Sequence, residues 1–161
     1  MIQLNPDFSL PSPATCPQRH QAEAMRTALV LLTRRVRTPS QDHDLLTAAQ
    51  LAWEAARLSS CTRGTIGAGL LLAQVQLTLG HHQAAALTAQ RVQALARGTP
   101  GAALTCVRAL AVGAAAWRRL GQPEAAEHLA ALGALVGETI RDPRERALAL
   151  GVELSTASKH T

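Results

Sequence analysis

The stretch that decides the fold is "LTLGHHQAAALTAQ", residues 77–90, in which one glycine separates two runs of apolar residues. Apolar residues three or four apart predict amphipathic helices, and so short a link folds consecutive helices back on each other as a hairpin. The pattern returns 41 residues later as "LGQPEAAEHLA", residues 120–130, where Gly121 takes the place of Gly80. A repeated helical hairpin therefore organises this part of the chain.

Small residues accompany both turns. Ala73 and Ala114 occupy equivalent positions in the helices that precede the two glycines. A third, weaker copy is "AAQLAWEAA", residues 48–56, which falls on the second helix of a first hairpin. A hairpin cannot bury its apolar face alone, so stacked hairpins need small residues where helices cross and glycine where the chain turns.

Prolines mark the helix starts, because proline is well tolerated only in the first turn of a helix. "TPSQ" from Thr38 and "DPRE" from Asp142 have the pattern of capping boxes that Gln41 and Glu145 would close. Weaker caps precede Pro17, Pro100 and Pro123. These marks and the apolar spacing predict seven helices, at about 17–36, 39–58, 63–79, 81–97, 100–120, 123–137 and 143–157.

The predicted fold class is all-α: a right-handed stack of about three antiparallel hairpins with a C-terminal capping helix, an α-solenoid. An irregular helical bundle is the alternative. A chain of 161 residues is long enough for one domain with a core of its own. We expect residues 1–15, which contain several prolines and serines, to be extended, and residues 16–161 to form the single domain.

The repeated pattern resembles the tetratricopeptide-like helical repeats over roughly residues 17–137. The resemblance rests on "LGHHQAA" and "LGQPEAA", each preceded by a small residue, and on the small, large and small residues Ala49, Trp53 and Ala56. The sequence departs from the family in three respects. It lacks a tryptophan near the start of each first helix, it lacks proline at the end of the first and third hairpins, and its period is longer.

In repeats of this kind, the first helix of each hairpin lines a concave groove that receives an extended peptide or a partner's helix. The resemblance thus implies a non-catalytic protein–protein interaction or adaptor module that uses no cofactor. Guanidinium groups suit bidentate contacts with carboxylates, so we expect a protein or peptide partner of acidic or mixed charge. Self-association through apolar end faces is a second mode. Carried onto the two clear repeats, the groove residues are Leu70, Gln74, Leu77, Arg108, Ala111, Ala115 and Arg118.

The charge balance leaves a nucleic-acid-associated regulator as the alternative function. The net charge is +5, and the chain has fifteen arginines and a single lysine, Lys159. Such a balance suits contacts with phosphates. No aromatic residues are interleaved with the arginines, however, so the sequence does not indicate a platform on which single-stranded bases could stack.

The sequence has no strong motif for catalysis, phosphate binding or metal binding. "GTIGAGLLLA" from Gly64 has neither the spacing nor the lysine of a phosphate-binding loop. Glu124 and His128 share a helical face, but a metal-binding bundle needs a matching pair on another helix and further carboxylates. His81 and His82 are interpreted as turn residues, because the sister turn has Gln-Pro in their place. We expect no enzyme and no metal, and keep a helical enzyme or metal-bound bundle as a third class.

The expected location is the cytoplasm. The start "MIQLNPDFSLPSPAT" has no basic segment or apolar run of a signal peptide, and no stretch approaches the ~20 apolar residues of a membrane span. Cys16, Cys61 and Cys106 form no C-x-x-C pair and cannot all be paired with one another. We therefore expect them to be reduced and buried as small apolar side chains.

Overall fold

The computed structural model describes residues 17–34 and 36–149, and within them it confirms an all-α fold. The predicted extended segment 1–15 and the predicted end of the last helix, 150–157, lie outside the described residues. The elements are seven α-helices: α1 (Pro17–Leu32), α2 (Pro39–Leu58), α3 (Thr62–Thr78), α4 (His82–Arg97), α5 (Ala103–Arg119), α6 (Pro123–Glu138) and α7 (Pro143–Ala149).

The two glycine turns have the same geometry. Gly80 and Gly121 have φ angles of 82° and 74°, a left-handed conformation that other residues adopt only with strain. Beyond each glycine, a backbone N–H reaches back to the last turn of the helix: His81 donates to the carbonyl of Gln76 at 2.8 Å, and Gln122 makes the equivalent bond at 2.9 Å. These bonds satisfy carbonyls that the helix end leaves free, which explains why glycine recurs here.

Four of the five prolines predicted to start helices do so. At α2, Gln41 N–H donates to Thr38 Oγ1 at 3.3 Å and Thr38 N–H donates to Gln41 Oε1 at 3.1 Å, so the capping box is confirmed. At α7, Asp142 Oδ1 accepts from the N–H of Arg144 at 2.7 Å and of Glu145 at 3.2 Å. These side chains thus satisfy one free N–H group at the start of α2 and two at the start of α7.

Two predicted bounds are wrong. Helix α5 begins at Ala103 and not at Pro100, because Gly101 has a φ of 75° and a left-handed residue cannot lie within a right-handed helix. Helix α1 ends at Leu32, four residues before its predicted end at Val36. The N–H groups of Thr33 and Arg34 still bond to carbonyls of its last turn, which closes the helix there.

The helices pack in chain order as three hairpins, α1/α2, α3/α4 and α5/α6, followed by α7. Each odd-numbered helix also contacts the next odd-numbered one, from α1 to α3, α5 and α7. Among the described residues, the backbones of α2, α4 and α6 do not lie next to one another. The odd-numbered helices therefore form a continuous row of their own. We call the free faces of the odd helices the inner face and the opposite side the outer face.

Helix α3 lies at the centre of the core and is buried along most of its length. Gly69 allows its closest approach to the neighbours: a Cβ added there would overlap the ring of Trp53 on α2 and lie 2.6 Å from Cγ2 of Val92 on α4. Both neighbours are themselves buried. A side chain at this position would therefore force two hairpins apart.

Candidate partner-binding surface

Four of the predicted groove residues lie on one face of α5. Arg108, Ala111, Ala115 and Arg118 recur at spacings of three and four, which places them along one stripe of the helix. Arg108, Ala111 and Arg118 are exposed, and Ala115 is half-buried. The two arginines stand at the ends of the stripe, with only alanine methyl groups facing outward between them.

The three predicted residues of α3 are less accessible. Leu70 is only 8% exposed and belongs to the core, whereas Gln74 and Leu77 are half-buried. Leu77 also packs against the core. Arg63 and Gly67 continue the same stripe toward the start of α3 and are exposed and half-buried, respectively.

Sequence reasoning did not select Arg63, Gly67 or, on α5, Arg119. Helical spacing could have found all three. Gly67 lies three residues from Leu70, Arg63 lies eleven from Gln74, and Arg119 lies four from Ala115. The stripe on α3 and α5 is called the inner stripe below. It comprises Arg63, Gly67, Leu70, Gln74, Leu77, Arg108, Ala111, Ala115, Arg118 and Arg119.

A groove of about 290 Å³ runs beside the α5 part of the inner stripe. Ala111 and Arg118 of α5 line it on one side, Leu129 and Gly133 of α6 line it on the other, and Ala149 of α7 is a further lining residue. The structure therefore brings two of the predicted residues together in one groove. Arg108 and Ala115 lie beside it on the stripe without lining it.

The centre of the molecule carries positive charge only. Between Glu54 and Glu124 the chain contains seven arginines and no acidic residue, so α3, α4 and α5 have no carboxylate. The salt bridges among the described residues involve Arg19, Arg37 and Arg57, and none involves an arginine of the inner stripe. Within the stripe, Arg63 donates to the carbonyl of Pro100 at 3.2 Å, whereas the guanidinium groups of Arg108 and Arg118 make no hydrogen bond to a described residue.

Metal ligands and histidines do not form a site in the described part of the chain, where no group of three or more His, Cys, Asp or Glu converges. Glu124 and His128 are both exposed on α6. His81 is exposed in the turn, and His82, the first residue of α4, is half-buried. Nδ1 of His82 is buried without a hydrogen-bond partner among these residues.

The cysteines differ from one another. Cys106 is buried, as predicted, and burial raises the pKa of its thiol while the charge of Arg97 acts in the opposite direction. For Cys61 the prediction is wrong: it is exposed, and its Sγ accepts a hydrogen bond from the N–H of Gly64 at 3.4 Å, which caps α3. Cys16 lies outside the described residues.

The fold and this surface define an all-α protein of sequentially packed helical hairpins. No protein-family model, no curated protein and no solved structure matches the chain. In the region that the structure describes, no helix has both the length and the apolar character needed to cross a bilayer.

Proposed function

We propose that the protein is a non-catalytic interaction module that binds an acidic peptide segment of a partner protein along the inner stripe, in the manner of the tetratricopeptide-like repeats it resembles. The observation that carries the proposal is that Arg108 and Arg118 form no salt bridge with a described residue and lie on a helix that, like α3, holds no carboxylate. An acidic segment would find complementary charge here without first displacing a salt bridge to another described residue.

The spacing of the arginines indicates the form of the peptide. Arg108 and Arg118 are ten residues apart on a helix, a distance of about 15 Å. An extended chain rises about 3.3 Å per residue, so two carboxylates four or five residues apart would reach both guanidinium groups. Ala111 and Ala115 lie between them and let a peptide backbone approach the helix closely.

The test is fluorescence anisotropy with a labelled peptide that has two glutamates five residues apart. We expect the double substitution Arg108→Glu and Arg118→Glu to weaken its binding at least about tenfold, as loss of two charge-assisted contacts would. The matched control is the double substitution Arg57→Glu and Arg91→Glu, which changes the net charge equally at two exposed residues of the outer face. Equal affinity of wild type and double variant would exclude the inner stripe as the binding site.

Binding to nucleic acid is a second candidate, because the acid-free segment also places arginines on the outer face. Arg57 and Arg91 line a pocket between α2 and α4 there. A phosphate-binding protein should be retained on DNA or RNA at low salt and lose affinity steeply as salt rises. Reversal of charge at Arg57 and Arg91 would then weaken binding to nucleic acid but leave the peptide bound. Absence of retention at low salt would exclude this function.

A further inference from the structure

The groove beside α5 leads to the part of the chain that follows α7. Helix α7 packs against both α5 and α6, and its last residue, Ala149, is one of the residues that line the groove. Residues 150–161 follow it in the sequence and lie outside the described residues. This segment is therefore tethered beside the groove, and the tether gives it a high effective concentration there.

The described lining of the groove is apolar except at one point. Most of it is alanine and glycine, which leaves a volume of about 290 Å³ open between α5 and α6. Arg118 is the only charged residue of this described lining, and it is exposed and forms no salt bridge with a described residue. The occupant that suits the groove thus has apolar side chains and a carboxylate at the Arg118 end.

The sequence of the segment 150–161 begins with this composition. Its first five residues, "LGVEL", alternate three apolar residues with two others: Leu150, Val152 and Leu154 with Gly151 and Glu153. Successive side chains of an extended chain point to opposite sides, so the three apolar ones would share one side and Glu153 would lie on the other. Glu153 is the only acidic residue of the segment. Gly151 disfavours a continuation of helix α7 through this stretch.

Length and volume both match these five residues. Val107 and Arg118, the first and last described residues that α5 contributes to the groove, are eleven residues apart, or about 16 Å along a helix. An extended chain covers that distance in about five residues. The side chains of Leu150, Val152 and Leu154 contain about eleven carbon atoms in total. A cavity of about 150 Å³ holds the six of benzene, so a groove of about 290 Å³ has room for them.

We propose that residues 150–154 bind in this groove as an extended segment, with their apolar side chains against α5 and α6 and the carboxylate of Glu153 on the guanidinium group of Arg118. The bound segment covers the Arg118 end of the inner stripe, so an acidic partner has to displace it. The protein thus carries its own competitor for the partner site. The docking of the segment does not depend on the proposed function, whereas the competition rests on it.

Paramagnetic labelling of the full chain tests the docking. A nitroxide is attached at Ser155→Cys, one residue beyond the proposed contact, and Cys16→Ser and Cys61→Ser remove two of the three natural thiols. The third, Cys106, is buried and reacts slowly. The serine that replaces Cys61 keeps a side-chain acceptor for the cap of α3.

The groove and the first hairpin should respond differently to this label. We expect the oxidised nitroxide, compared with the reduced one, to broaden the amide signals of Ala114, Arg118 and Leu129, which line the groove. The signals of Arg57 and Leu58 should not change, because α2 belongs to the first hairpin and does not pack against α5. Equal broadening in the two places, or none in the groove, would overturn the docking.

Substitutions test which side chains hold the segment in the groove. Val152→Asp places a charge at the central apolar position and should abolish the broadening of the groove signals. Ser158→Asp adds the same charge six residues later, outside the proposed contact, and should leave the broadening unchanged. Glu153→Arg should weaken it, and addition of Arg118→Glu should restore it, because the exchanged charges attract again. Unchanged broadening in Val152→Asp would contradict the docking, and unchanged broadening in Glu153→Arg would contradict the contact with Arg118.

The anisotropy assay with the labelled acidic peptide tests the competition. A segment that fills the groove in about nine molecules of ten would raise the apparent dissociation constant of the peptide about tenfold. We therefore expect Val152→Asp to bind the peptide about tenfold more tightly than wild type or Ser158→Asp. Equal affinity of Val152→Asp and wild type would refute the competition. Broadening confined to the groove, with no peptide bound by any variant, would refute the proposed function and support the docking.

Discussion

Gly69→Ala is the sharpest test of how the hairpins are packed. The substitution adds one methyl group at the centre of the core, where α3 meets both α2 and α4. The new Cβ would overlap the indole ring of Trp53 and lie 2.6 Å from Cγ2 of Val92, closer than real carbon atoms approach. Neither neighbour can move into solvent, because Val92 is fully buried and Trp53 is 8% exposed.

Two opposing effects determine the size of the change. Alanine is favoured over glycine inside a helix by about 1 kcal/mol. Overpacking a well-filled core costs typically about 1–3 kcal/mol, and two simultaneous clashes with buried groups place this site at or beyond the upper end. We therefore expect Gly69→Ala to lower the free energy of unfolding by about 2 kcal/mol or more.

Gly67→Ala is the matched control, two residues away on the same helix. A Cβ added at Gly67 meets nothing within 4 Å, so only the gain in helix propensity remains. We expect this variant to be more stable than wild type by about 0.5–1 kcal/mol. For a chain of this length, the gap between the two variants corresponds to about 5–10 °C in melting temperature.

The assay is urea unfolding followed by circular dichroism at 222 nm, with a double-mutant cycle. In a Trp53→Leu background, the ring that clashes is gone, and Gly69→Ala should cost less than in wild type by about 1–2 kcal/mol. If Gly69→Ala instead stabilises the protein as much as Gly67→Ala does, the close approach of α3 to α2 and α4 is not present in solution.

Three further substitutions or reactions test local features. Gly121→Ala should destabilise the protein by about 1–2 kcal/mol in the same unfolding assay, since its φ of 74° is left-handed; stability equal to wild type would contradict the turn geometry. Thr38→Ala should cost about 1 kcal/mol by removing the cap bonded to Gln41, whereas Thr38→Ser should keep most of it. Iodoacetamide should alkylate exposed Cys61 well before Cys106, whose burial raises the pKa of its thiol and keeps it protonated to higher pH; peptide mass spectrometry would show the reverse order if this is wrong.

Local features were predictable from the sequence because each depends on a few adjacent residues. The turns at Gly80 and Gly121 and the cap at Thr38 need only a glycine or a hydroxyl at the right step from a helix end. The predicted start of α5 was wrong because it also depended on adjacent residues alone. Thr99-Pro100 has the form of a helix cap, and only the backbone shows that Gly101 is left-handed. Pro100 favours a helix start and Gly101 interrupts it, so the helix begins after the glycine.

Features that join distant helices could not be predicted in this way. The role of Gly69 depends on Trp53 and Val92, which come from two other helices. The inner stripe was recoverable on each helix from its spacing, but the burial of Leu70 reflects packing between hairpins. A cleft of about 260 Å³ between α4 and α6 likewise combines residues of these two helices and of α5, and no spacing along the chain relates Gln93 to Trp117.

Composition explains the cleft between α4 and α6. With one phenylalanine, no tyrosine and many alanines, the chain lacks large side chains to fill the space between these two helices. A cleft of this kind follows from the shortage of large side chains and does not by itself indicate a ligand.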